Sequence, residues 1–198
     1  MVAGRGAGRP VAGPGREARA AAHHDALSSK NPTKAFDQRR AGHVPGDTDL
    51  TWTRLTPWRA LLATALDAPP HEPVTGATVA GEVVSPSTDL LAGWLVARLP
   101  DAKVKRSPAE RGPGVVSVRL ERPSGAVSLV RPDGKVGSLR QKGQPDRLVA
   151  LARREVRDCL AEELRRLDDD EIYREALVGV GKAARGRTPV KVPELAGT

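Results

Sequence analysis

Between Gly114 and Leu139 the chain alternates in three short runs separated by turn-forming residues, and no other stretch limits the possible folds as much. In the first run Val116, Val118 and Leu120 fall two apart, so an extended backbone places all three on one side. Pro123, Ser124 and Gly125 interrupt it. A second run, 126–130, leads into Arg131, Pro132, Asp133 and Gly134, and a third covers 135–139. An Asp-Gly pair supplies the left-handed backbone of a tight hairpin turn, because glycine adopts it without steric cost. Three such runs share one buried face only as an antiparallel meander.

The flanking segments change period. Thr56 and Pro57 read as a helix cap with proline at the first position, followed by Trp58, Leu61, Leu62, Ala65 and Leu66 at helical spacing, and the helix ends before Pro69. Residues 75–84 (TGATVAGEVV) alternate with β-branched residues and predict a strand. Ser85 and Pro86 repeat the cap-plus-proline signal for a helix to about Leu99, whose Leu90, Leu91, Trp94 and Leu95 form one face. Residues 102–106 predict a short edge strand. Residues 153–167 place Val156, Cys159, Leu160, Glu163, Leu164 and Leu167 at steps of three and four, and Asp168 to Asp170 can cap a last helix carrying Ile172, Tyr173, Ala176 and Leu177. These parts predict an α+β domain over 49–180, with a mixed or antiparallel sheet containing the meander and helices packed on one face.

The ends read differently. Residues 1–30 predict a disordered low-complexity tail, because ordering so few large apolar residues would not offset roughly 1–2 kcal/mol of backbone entropy per residue. Residues 31–48 predict a short helix and a linker through Pro45, Gly46 and Asp47, and 181–198 a flexible basic tail. The formal charge of +8 sits in these ends: residues 1–45 hold eight Lys/Arg against three acids, 181–198 hold four against one, and 46–180 hold twenty of each. A neutral body with Phe36, Trp52, Trp58, Trp94 and Tyr173 as its whole aromatic complement lacks the basic face with stacking platforms that binds nucleic acid. No run of some 18 apolar residues and no signal-like apolar segment occurs, and Cys159 stands alone, which together predict a cytoplasmic chain without membrane span, disulfide or zinc site.

A catalytic constellation is not legible. His23 and His24 fall in the predicted tail, His43 in a turn and His71 among prolines. Cys159 lies on an apolar helix face, as a buried small hydrophobe does. Glu162 and Glu163 are adjacent on a helix and so do not face each other. Gly4, Gly6 and Gly8 have no strand before them or helix after, and Gly181-Lys182 has Ala176 where a phosphate loop needs glycine, so neither marks a nucleotide site. No metal or cofactor follows from the sequence. The turn at Ser85 and Ser87 offers free amides at a helix start, which suit a phosphate, although capping explains the same residues.

The blocks TRLTPWR, GQPDR and CLAEELRRLD, in order within about Asn31 to Val178, resemble the carboxy-terminal domain of the glucose-6-phosphate dehydrogenase assembly protein family (OpcA), common in actinobacteria and cyanobacteria. Family members carry a further domain amino-terminal to this region. The resemblance implies a non-catalytic partner that helps glucose-6-phosphate dehydrogenase reach its active oligomer and so supports NADPH supply through the oxidative pentose phosphate pathway. It implies no catalytic residue. On that reading Trp52, Arg54, Trp58 and Arg59 form a partner-binding hot spot if exposed, with a core role for both tryptophans as the alternative. Arg140, Asp146 and Arg147 form a second candidate patch, against solvated loop charges. The competing expectation is a sugar-phosphate-binding regulatory module built on Ser85, Ser87 and nearby arginines.

Overall fold

The structure is a computed structural model that describes residues 23–165 and 168–195. The expected disorder of residues 1–22 lies outside the described residues, as does Leu167.

The meander forms as the alternation predicts. Strands β5 (Val115–Glu121), β6 (Val127–Val130) and β7 (Val136–Gln141) run antiparallel in succession. Asp133 Oδ1 accepts from the amides of Lys135 and Val136 at 2.8 and 3.2 Å, and Gly134 has φ 77°, so the Asp-Gly turn forms by local hydrogen bonding and a left-handed glycine. Strand β8 (Arg147–Ala150), which the sequence does not signal, pairs antiparallel with β7. On the other side β5 pairs antiparallel with β3 (Gly76–Gly81), and β3 pairs parallel with β4 (Lys103–Pro108). That parallel pair needs a crossover, and helix α4 (Pro86–Arg98) supplies it. The mixed seven-stranded sheet runs β8-β7-β6-β5-β3-β4-β9, where β9 is Ala184–Arg185. Strand β4 is therefore interior, not the predicted edge. A slip between Ala80 and Gly81 bulges β5 at Val116 and turns Val115 to the face of Val118 and Leu120, so Val116 leaves the face that the alternation predicts for it and joins Val130 on the opposite one.

The helices cover one face of the sheet. Helix α3 (Thr56–Asp67) follows a four-residue helix, α2 (Leu50–Thr53), and begins one residue earlier than the cap signal predicts, with Leu55 as N-cap and Thr56 inside the helix. Ser85 does cap α4, its hydroxyl accepting from the Thr88 amide at 3.2 Å. Helix α5 (Val156–Glu163) is shorter than the periodicity predicts, and α6 (Glu171–Val180) is capped by Asp170. Helices α4 and α6 cross at Gly93 and Gly179: a Cβ on Gly93 would lie 2.2 Å from the Ala176 carbonyl oxygen, and one on Gly179 would lie 2.1 Å from that of Gly93. The main core joins Trp52, Trp58 and Leu62 to Leu90, Leu91, Val79, Leu120, Leu129 and Tyr173.

The described parts of both ends, residues 23–30 and 181–195, fold onto this body, contrary to expectation. A two-residue strand β1 (His23–His24) pairs parallel with β2 (Thr48–Asp49), Ala26 is buried, and its amide donates to both carboxylate oxygens of Asp49 at 3.1 and 3.3 Å. Helix α1 (Pro32–Ala41) matches the predicted short helix, its N-cap being Asn31. At the other end, β9 adds to β4, Val190 bridges to Ala109, and Val192 packs with Val116 and Val130 on the sheet face away from the helices. Isolated small apolar residues such as Ala26 and Val192 carry no periodicity, yet each fills a site that the body preforms.

Candidate functional site

The TWTRLTPWR block is interior scaffolding. Trp52 and Trp58 are 0% and 2% exposed, so the core alternative holds and neither is a surface anchor. Trp52 Nε1 donates to Asp170 at 2.8 Å, its ring lies 5.6 Å from that of Tyr173, and the Arg59 guanidinium sits 3.6 Å above it. Burial pushes the Tyr173 hydroxyl well above the ordinary phenol value. Arg54 forks onto Asp25 at 2.7 and 3.0 Å. Burial raises the Asp25 carboxyl, but the hydrogen bonds and charge of Arg54, with a hydrogen bond from Ser28, more than offset this and leave it below the usual range. These side chains thus tie the amino-terminal segment and α6 to the body.

The predicted phosphate turn is likewise occupied. Ser85 accepts from both the amide and the hydroxyl of Thr88 and is buried. Ser87 lines a narrow cleft with Arg54, Trp58, Glu82, Arg131 and Arg153. Arg131 is buried there, donating to the carbonyls of Leu151 at 3.0 Å and Val115 at 2.9 Å, and burial with the Arg153 charge pulls its guanidinium down to about 10. In the first turn of α4, Asp89 accepts from Arg106 at 3.0 Å and Arg185 at 2.7 Å, which fastens the carboxy-terminal segment.

Helix α5 shows a surface that the sequence obscures. Its inner side is Cys159 and Glu163, the latter accepting from the Thr53 hydroxyl at 2.6 Å. Burial pushes the Cys159 thiol up, against the pull of Arg154 and Arg54, so it is a packed hydrophobe. This leaves Val156, Leu160 and Leu164, one helical turn apart, 46%, 37% and 60% exposed. The spacing of three and four thus resolves, over the five described residues, into two stripes, Cys159 and Glu163 against the body and Val156, Leu160 and Leu164 toward solvent.

Arg140 of the second predicted patch lines a groove. On the face away from the helices, this groove of about 690 Å³ crosses the sheet. The strand registers place Lys105, Thr78, Arg119, Ser128 and Arg140 in one row over five strands. With neighbouring strands about 4.8 Å apart, cations recur about every 10 Å with a hydroxyl between. Lys142 and Lys191 add charge at the rims, Ser107 and Ser117 lie beside the row, and residues 188–193 form one wall. No Asp or Glu among the described residues lines it. Arg140 is held by Asp146 at 2.7 Å and donates to the Glu194 carbonyl at 2.5 Å, while Arg147 is exposed on β8 and does not join them.

No group of three or more His, Cys, Asp or Glu suited to a metal ion occurs among the described residues, and no described helix is long and apolar enough to cross a membrane. No curated protein matches the chain. Among solved structures, a mutant of KijD10, a 3-ketoreductase from Actinomadura kijaniata in complex with TDP-benzene and NADP, superposes with a TM-score of 0.44 at 10% identity, covering 85% of this chain and 72% of that one. The open conformation of the same reductase gives 0.42 at 10% identity, covering 81% and 67%. Likeness this distant says nothing about activity. Residues 45–177, from the turn before β2 to the penultimate turn of α6, match the sequence model of the OpcA family, described as the C-terminal domain of a glucose-6-phosphate dehydrogenase subunit. The chain belongs to that family, which is associated with glucose-6-phosphate dehydrogenase.

Proposed function

We propose that the chain is a non-catalytic partner of glucose-6-phosphate dehydrogenase that promotes its active oligomer, and so NADPH production in the cytoplasmic oxidative pentose phosphate pathway. The family match over residues 45–177 carries this reading. The unpartnered stripe Val156, Leu160, Leu164 supports it, since a row of aliphatic side chains beside the charged Arg157 and Arg165 has the layout of an apolar contact with a polar rim. The tryptophan block, being buried, plays no direct part in docking.

The test mixes the chain with its cognate dehydrogenase and follows mass by size exclusion with light scattering and activity by NADPH formation. Co-elution with raised activity is the expected outcome, and the absence of both would end the proposal. The pair Leu160→Glu and Leu164→Glu should weaken the complex at least about tenfold while leaving the thermal transition of the chain in place, because both side chains already face solvent. Undiminished co-elution of the double variant would remove α5 from the interface and leave the partnership itself standing.

A further inference from the structure

The groove on the open face of the sheet has the chemistry of a ligand site. Its volume of about 690 Å³ lies within the usual range for small-molecule sites, roughly 300–1,000 Å³. Five cations line it and no acid does. The side chains of Lys105, Lys142 and Lys191 have no hydrogen bond or ion pair with other described residues. Arg119 and Arg140 are oriented by Glu121 and Asp146, which stand outside the lining, and each commits only part of its five donors there. Between the cations stand hydroxyls of Thr78, Ser128, Ser117 and Ser107, and among the described residues no aromatic ring lines the groove.

Each feature selects ligand chemistry. Three lysines with no carboxylate partner, beside two arginines with donors to spare, select an anion, and the arginine forks match phosphate oxygens. Interleaved hydroxyls exchange hydrogen bonds with a polyhydroxylated body. The missing aromatic surface argues against a base, which would stack. We infer that this groove binds a phosphorylated sugar, with the phosphate among Lys105, Arg119 and Lys191 and the carbohydrate hydroxyls over the serine and threonine row. The site stands apart from Ser85 and Ser87, and its test uses the chain without the dehydrogenase, so its failure and that of the assembly role are separable.

The thermal transition of the full chain is followed with glucose 6-phosphate, glucose, inorganic phosphate and a short poly-glutamate peptide, each at matched ionic strength. Preferential binding to the folded state raises Tm. The expected result is a rise with glucose 6-phosphate, a smaller one with phosphate and none with glucose. The double variant Lys105→Ala, Lys191→Ala should keep the unliganded Tm and lower the affinity for glucose 6-phosphate, read by calorimetric titration, at least about tenfold. Arg119→Ala, at an exposed position among the residues assigned to the phosphate, gives a second reading should the double variant not fold, with an affinity loss again expected. The inference is overturned if glucose 6-phosphate gives no rise, if phosphate or poly-glutamate matches it, or if the variants bind as tightly as the native chain.

Discussion

At the scale of single residues, paired charges decide how the ends are held. Asp25 has its pKa below the unfolded value, so its pair with Arg54 stabilises the fold above about pH 4 and loses that contribution as pH falls through the folded value. Hydrogen-exchange protection at residues 23–29 is therefore expected to fall as pH drops below about 4, and to be low already at pH 6 in Arg54→Ala. Unchanged protection on either count would show that the Asp49 contacts alone hold the segment. Residue identity was legible in the sequence where it acts locally. Ser85 caps, Asp133 turns and Cys159 packs as their types and positions predict. A core role for Trp52 was legible only as one of two alternatives and that of Arg54 not at all, because their partners Asp170 and Asp25 lie 118 and 29 residues away and nothing in the local pattern names them.

At the scale of elements, the α4–α6 crossing turns helix propensity upside down. In an ordinary helix interior Gly→Ala gains about 1 kcal/mol. At Gly179 the new methyl would meet the Gly93 carbonyl at 2.1 Å, a distance no side-chain rotation relieves. Gly179→Ala should cost about 1–3 kcal/mol, seen as a lower urea midpoint, and an unchanged midpoint would mean that the helices separate freely. Capped helices and the meander were legible because their signals are periodic or tied to a turn. Strands β8 and β9 were not: four residues, RLVA, and two, AR, hold too little pattern to register, and only the edges of β7 and β4 make them strands. The apolar spacing of α5 was visible, but sequence spacing cannot say which of two stripes is inner when Glu163 is buried by a hydrogen bond to Thr53.

At the scale of the whole molecule, the body is a sheet with helices on one side and a cationic groove on the other, and the segment 184–193 finishes both the sheet and the groove. The α+β class and the association with the dehydrogenase were legible; the groove was not, since its row of cations exists only through the register of five strands distant in sequence. The position of β9 also orders events in time. A ribosome delivers β4 some eighty residues before the strand that pairs along part of it, and until then that side of β4 offers unpaired amides and carbonyls, the kind of border that recruits another chain. A chain stopped after Ala183 would keep that border permanently. Sedimentation velocity should show it associating more strongly with rising concentration than the 198-residue chain does, which makes residues 184–193 a guard of that border against further copies.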